Sequence, residues 1–474
     1  MTHNLLTEEF NQGQYANHLA RANDSREILA TTDIVNDRGV LLLRAGKRLS
    51  REAAAQLVRH KLLRPLEEQI GVDGALTDQS LLAALHAALK DYPDLCDLHA
   101  SAGRDEQLAT YARACRSYPL ILQKLTILSD VLPDVFHKSL ICSWLAAQIA
   151  LEMGLPAGDC EAAFLAGLAR DLGMLHIDPA KVCGSDWVDA AGWRTIQAHT
   201  VAGSFILDGT PNPNRLAARA VLEHHERCDG SGYPRGLVGA SIHPVSLVVG
   251  LADGLQAIRT GLFKRLGFSL GDCRTYLRMN LGLFSADVYS AVIRLLDTAQ
   301  LQVTQRTPAG GAKAYAEDIR AKNRHLGEIV KPLTRLRDWT VQAVCCMAPQ
   351  AALCRVPERV CKLFDSSGLF RPEIEAWLRD VQDDANAGEL YDLDNIALMQ
   401  AELIWQLRDV LRCLQTEVDT RTKVSSSTDL SILEAAEAVA RCLGSVGVEE
   451  AKVVHAGLLL RLRAGATPAE RPAA

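Results

Sequence analysis

Val221-Leu-Glu-His224-His225-Glu226-Arg-Cys-Asp229-Gly-Ser-Gly-Tyr233-Pro-Arg-Gly-Leu237 sets two adjacent imidazoles, flanking carboxylates and a glycine-rich loop in one short stretch. The apolar residues just ahead of it, Leu216, Ala217, Ala220 and Val221, recur at helical spacing. This pattern predicts that His224 and His225 close a helix and that Asp229 to Gly236 form the loop after it. Imidazoles held on a helix end, beside backbone free to approach a ligand, suit a metal site. A His-His pair alone is as readily a packed core feature. The attached loop moves the reading to a site.

Three more stations lie outward from that stretch. Residues 163–175 read Ala-Phe-Leu-Ala-Gly-Leu-Ala-Arg-Asp-Leu-Gly-Met-Leu, a predicted helix with Asp171 near its end. Thr195–Leu207 carries His199 among Ile196, Ala202, Gly203 and Ile206. Val245–Ile258 holds one acid, Asp253, among Leu247, Val248, Val249, Leu251, Ala252 and Leu255. An acid in so apolar a helix is costly unless it is paired or bound to a metal. Residues 171, 199, 224 and 253 follow at intervals of 28, 25 and 29, each about one helix-turn-helix unit. Separate helices can therefore point these side chains into one cavity.

With these residues in place, the region from about 130 to 300 resembles the HD-GYP family of metal-dependent cyclic-nucleotide phosphodiesterases. His224-His225-Glu226-x-x-Asp229-Gly230-x-Gly232-Tyr233-Pro234-x-Gly236-Leu237 matches its namesake signature at each defining position. The resemblance implies an all-helical domain that hydrolyses cyclic di-GMP at a centre of two or three metal ions. Iron or manganese would suit the mixed imidazole and carboxylate ligands. It also implies roles for single residues: Asp171 as catalytic bridging carboxylate and metal ligand, with His199, His224, His225 and Asp253 as further ligands. Gly232, Tyr233, Pro234 and Arg235 would lie near the substrate.

Three stations depart from that pattern. The His of the His-Asp pair is Arg170, the first ligand His is Lys138, and a phosphate-contacting lysine is Met174. Gln256 also replaces a common Asp beyond Asp253. His137 is one residue from the first of these stations, which rotates it by about 100° around a helix. Both lost histidines would serve one metal position, shared with Asp171 and Asp253. Cations there repel a divalent ion, and Arg170 or Lys138 can neutralise the acids by ion pairing.

The other position keeps Asp171, His199, His224 and His225, enough for a single ion. The expectation is a bacterial signalling protein with a degenerate site, holding one divalent transition ion (Fe or Mn) or none. It would bind cyclic di-GMP, a related cyclic dinucleotide or a partner protein, with Lys138 and Arg170 on phosphate and with weak or no hydrolysis. An active phosphodiesterase using His137 or His176 as a stand-in ligand is the alternative, and a scaffold that binds nothing is a third.

The whole chain has 474 residues, 48% hydrophobic and 5% aromatic, and is rich in Ala and Leu. This predicts a mainly α protein of two to four domains. We read 1–118 as a small α+β region with strands at Glu27–Val35 and Val40–Leu43, a helix capped by Ser50 through Leu62, and helices at Leu81–Lys90 and Gln107–Cys115. Residues 119–305 form the all-helical HD-GYP-type domain. Residues 306–474 form a helical C-terminal region, with a linker at Ser425–Thr428 and a disordered tail from Arg463. Its amphipathic stretches (Ala316–Leu333, Pro372–Val381 and Leu393–Val418) could pack on the central domain, form a homodimer or meet partner signalling proteins.

A net charge of −6 leaves no basic footprint for a nucleic-acid polymer. Thirteen irregularly spaced cysteines without a Cys-x-x-Cys pair suggest reduced thiols, including Cys345 and Cys346. Met1–Phe10 has no basic leader, and the best apolar run, Leu140–Leu155, carries Gln148 and Glu152. A cytoplasmic chain without a membrane span is expected.

Overall fold

Proline opens three helices of the central region, Pro119–Val131, Pro133–Glu152 and Pro244–Ile258, where its missing N–H costs no helical bond. Between them lie Ala157–Ala169, Ala190–Asp208 and Arg215–Glu223, the last capped by Asn214, whose side chain accepts from Ala217 N at 2.9 Å. Pro133–Glu152 is buried from Ser139 to Ala150, and Ala157–Ala169 is almost as enclosed. Helices apolar all round belong at the centre of a bundle. The computed structural model describes residues 12–177, 190–301, 310–344, 352–420, 427–448 and 451. Cys345, Cys346 and the tail from Arg463 lie outside them, as do the first two residues of the Ser425–Thr428 linker.

The mainly α class holds, with only two-stranded sheets among the described residues. The long strand expected over Glu27–Val35 is two strands. Ile34–Val35 pairs antiparallel with Leu41–Leu43 across the expected turn, whereas Ile28–Ala30 pairs with Ile70–Val72. That second partner had no signal in the sequence, since three residues carry no readable period. Ser50 does cap a helix, accepting from Ala53 N at 3.1 Å, but the helix ends at Leu57 rather than Leu62. Pro93–Ala102 is a further helix, and Ser427, expected in a linker, begins the helix Ser427–Ser445.

Buried apolar side chains from Tyr15 to Leu296 pack as one cluster, joined by Leu398. A second cluster runs from Ala312 to Ala451 and includes Met279. Among the described residues one helical stretch, Pro244–Leu266 rather than Leu140–Leu155, is long and apolar enough to cross a membrane. Its Val245, Val248, Val249, Leu251 and Ala252 are fully buried in the first cluster.

Candidate metal centre

Asp171 follows the last turn of Ala157–Ala169 and leads into the one-turn segment Leu172–His176. Gly173 lets that segment lie directly on Ala190–Asp208, for a Cβ there would stand 2.1 Å from the His199 carbonyl oxygen. Any side chain at 173 would drive Asp171 away from His199. Gly250 does the same for Pro244–Ile258. A Cβ there would stand 2.5 Å from the His224 carbonyl oxygen, so the bare backbone brings Asp253, one turn later, toward the histidines.

The imidazoles are oriented by their own helices. His224 Nδ1 lies 2.7 Å from Val221 O, and His199 Nδ1 lies 2.5 Å from Ile196 O. A carbonyl only accepts, so each Nδ1 carries the proton and donates it. Each Nε2 then presents a lone pair, and the two Nε2 atoms face each other at 3.4 Å. Two acceptors at that distance call for a cation or a proton between them. His199 Nε2 also lies 3.6 Å from Asp171 Oδ1, and His225 joins the group, with ligand atoms of all three rings within 4.8 Å of one another. Burial, with the neighbouring imidazoles, pulls His224 down to about 4 and His225 well below the ordinary histidine value. Neutral imidazole is the metal-binding form, so these residues fit one ion.

His86, His99 and Asp105 form a second close group. There the Trp144 indole N–H donates to His99 Nδ1 at 3.1 Å, which leaves the proton on Nε2, donating to Asp105. That ring has no lone pair to offer a metal.

Arg170 occupies the other half of the centre. It is 1% exposed and surrounded on every nitrogen. Nε donates to Asp253 at 2.8 Å, Nη2 pairs with Asp171 at 3.0 Å, and Nη1 donates to Ser139 Oγ and Gly167 O at 3.2 and 3.1 Å. Burial opposes its charge, but the carboxylates of Asp171 and Asp253 more than offset this and hold it protonated. Burial likewise pushes Asp253 up, yet Arg170, His224 and an amide bond from Gln256 (3.1 Å) keep it below its usual value.

Lys138 is exposed and makes no ion pair among the described residues, whereas the fully buried Ser139 beside it reaches the centre. Adjacent helix positions point about 100° apart, so only one of the two can face inward. His137 turns to Asp91, 3.7 Å away, and packs by Tyr92. His176 is buried, stacked on Tyr15 at 5.2 Å and beside Lys124. Met174 is half-buried.

The loop is built on two glutamates, Glu226 of the signature and Glu223 one turn before it. Glu226, 1% exposed, accepts from Arg235 N at 2.7 Å and Leu237 N at 2.8 Å, so it ties the loop's far end to the histidine pair. Glu223 collects Arg219 and Ser246 at 2.8 Å together with the Arg235 guanidinium, which is thereby turned from the centre. Gly232 abuts the backbone of His225 to Arg227. Tyr233, followed by Pro234, stacks on His225 at 4.7 Å and donates its N–H to His225 O at 3.1 Å. Its other edge meets Trp193, over which Arg412 lies at 4.4 Å. The glutamates' signal was their burial, which a single sequence does not print. Glu226→Ala should cost about 2 to 4 kcal/mol in chemical denaturation, because two buried N–H groups lose a charged acceptor. A loss under about 0.5 kcal/mol would show that the loop holds without it.

A family model described as an HD domain matches residues 124–282. The chain is 30% identical over 161 residues to the 3'3'-cGAMP-specific phosphodiesterase 1 of Vibrio cholerae, covering 34% of this chain and 37% of that one. It is 31% identical over 140 residues to a cyclic di-GMP phosphodiesterase of Thermotoga maritima, covering 29% and 38% respectively. The match thus spans well under half the length of these relatives. A solved HDGYP protein, Bd1817 of Bdellovibrio bacteriovorus, aligns over 59% of this chain and 97% of its own at 14% identity and a TM-score of 0.30.

Proposed function

We propose, on the premise that the chain belongs to the HD-GYP domain family through residues 124–282, that its centre binds a cyclic dinucleotide and hydrolyses it weakly or not at all. One observation carries this reading: the buried Arg170 guanidinium spans Asp171 and Asp253. A fixed positive charge between two carboxylates supplies the neutralisation that a metal ion would give, and it repels such an ion from the same place. With every nitrogen bonded to protein, Arg170 neutralises the acids rather than gripping a ligand phosphate.

Asp171, His199, His224 and His225 would hold a single ion, with iron or manganese the chemical class their donors favour. A bound ion would polarise a phosphate oxygen and lower the pKa of a water. Arg170 takes the Asp171–Asp253 side, where a second ion would have shared that water. The ordered Gly232-Tyr233-Pro234 loop, with Tyr233 stacked on His225, supplies a wall for a ligand base or sugar beside the imidazoles.

The test is elemental analysis of the purified chain, together with calorimetric titration of cyclic di-GMP and an assay for its linear product. About one transition ion or fewer per chain, saturable binding and little product are expected. Two or more ions per chain with turnover would overturn the reading. No binding of any cyclic dinucleotide would leave the scaffold alternative.

A further inference from the structure

A cleft of about 600 Å³ opens between residues 278–283 and the helix Ala352–Ser367. None of Asp171, His199, His224, His225 or Asp253 lines it. Four cations, Arg278, Arg355, Arg359 and Lys362, face two carboxylates, Asp229 and Glu358. Those carboxylates are already engaged. Asp229 accepts from Ser231 N at 2.9 Å and Ser231 Oγ at 2.6 Å, and Glu358 pairs with Lys362 at 2.7 Å.

The guanidiniums are less well served. Arg278 is exposed and donates to the Met399 thioether, a weak acceptor, at 3.5 Å. Among the described residues Arg355 donates to the carbonyl of Asp229, at 3.1 Å. Arg359 donates to Ser231 Oγ and Gln406 and lies 3.5 Å from Asp409, yet its buried Nε–H has no hydrogen-bond partner among the described residues. Planar guanidiniums with spare donors match phosphate oxygens in charge and geometry. The volume falls in the range that takes a small molecule.

We propose that this cleft is a second ligand site, separate from the metal centre, for a phosphate-bearing small molecule of nucleotide size. Arg278 supplies its outer charge, and Lys362, paired with Glu358 at 2.7 Å, keeps spare N–H donors at the rim. Arg355 and Arg359 form its floor and also hold the Asp229–Ser231 turn of the loop.

The experiment titrates the full chain, dialysed against EDTA, with GMP, inorganic pyrophosphate and guanosine in a calorimeter. Saturable binding of the first two below roughly 1 mM is expected, with none for guanosine. The Arg278→Gln/Lys362→Gln double variant should lose at least about tenfold in affinity. Both side chains are exposed, so its melting temperature should stay unchanged. His224→Gln, at the metal centre, should bind as the parent does. Tighter GMP than pyrophosphate would support a nucleotide site, and equal affinities a site for free phosphate groups. The proposal fails if neither anion binds saturably, if guanosine binds as well as GMP, or if the double variant binds like the parent.

Discussion

The Arg170→His/Ser139→His double variant should take up about one more transition ion per chain and hydrolyse cyclic di-GMP on the order of 100-fold faster than the parent. Arg170→His removes the charge that now lies between Asp171 and Asp253 and puts an imidazole within reach of both. Ser139→His adds a second neutral donor on the adjoining helix, at the fully buried position that already meets Arg170. A second ion sharing the activated water is worth several kcal/mol at the transition state, hence the size of the effect. Arg170→His alone should be unstable without metal, because two carboxylates would then face each other without a counter-charge. Its melting temperature should rise on adding manganese, while the parent's should move less. Unchanged metal content and unchanged turnover in the double variant would refute the account of Arg170 as a metal substitute.

Asp253→Ala attacks the same pair from the other side. Arg170 would keep Asp171 but lose the acceptor for its Nε, and the cation is buried to 1% exposure. Removing one partner of a buried ion pair costs about 3 kcal/mol, far more than the pair itself contributes over an apolar replacement. Asp253→Asn keeps an oxygen for Nε and should cost about half as much. Both follow from urea unfolding midpoints. If Asp253→Ala lost under about 1 kcal/mol, the acid would be acting as a surface group, and the electrostatic argument for the centre would not stand.

Much of the fold was legible because helical periodicity and proline or asparagine starts are local signals. Pro244–Ile258, with its lone acid, is an example. The pairing of Ile28–Ala30 with Ile70–Val72 was not legible, since it joins short segments about forty residues apart. The centre divides in the same way. The types His199, His224, His225, Asp171 and Asp253 could be read from spacing and from the family resemblance, and so could the departures at 138 and 170. The direction each side chain takes could not.

By itself the sequence determined a helical chain with an HD-GYP signature, and a centre in which arginine and lysine stand where two imidazoles were expected. Only the tertiary structure decided which cation enters. Arg170 is drawn in with all its nitrogens bonded, while Lys138 stays at the surface and Ser139 faces the centre. It also decided that Glu226 and Glu223 hold the loop, and that Arg235 serves Glu223 rather than a ligand. The reason is physical. A helix's own sequence sets which residues share a face, but the neighbour packed against it sets which face is buried. Gly173 and Gly250 make those approaches close enough to bring side chains from separate helices into contact.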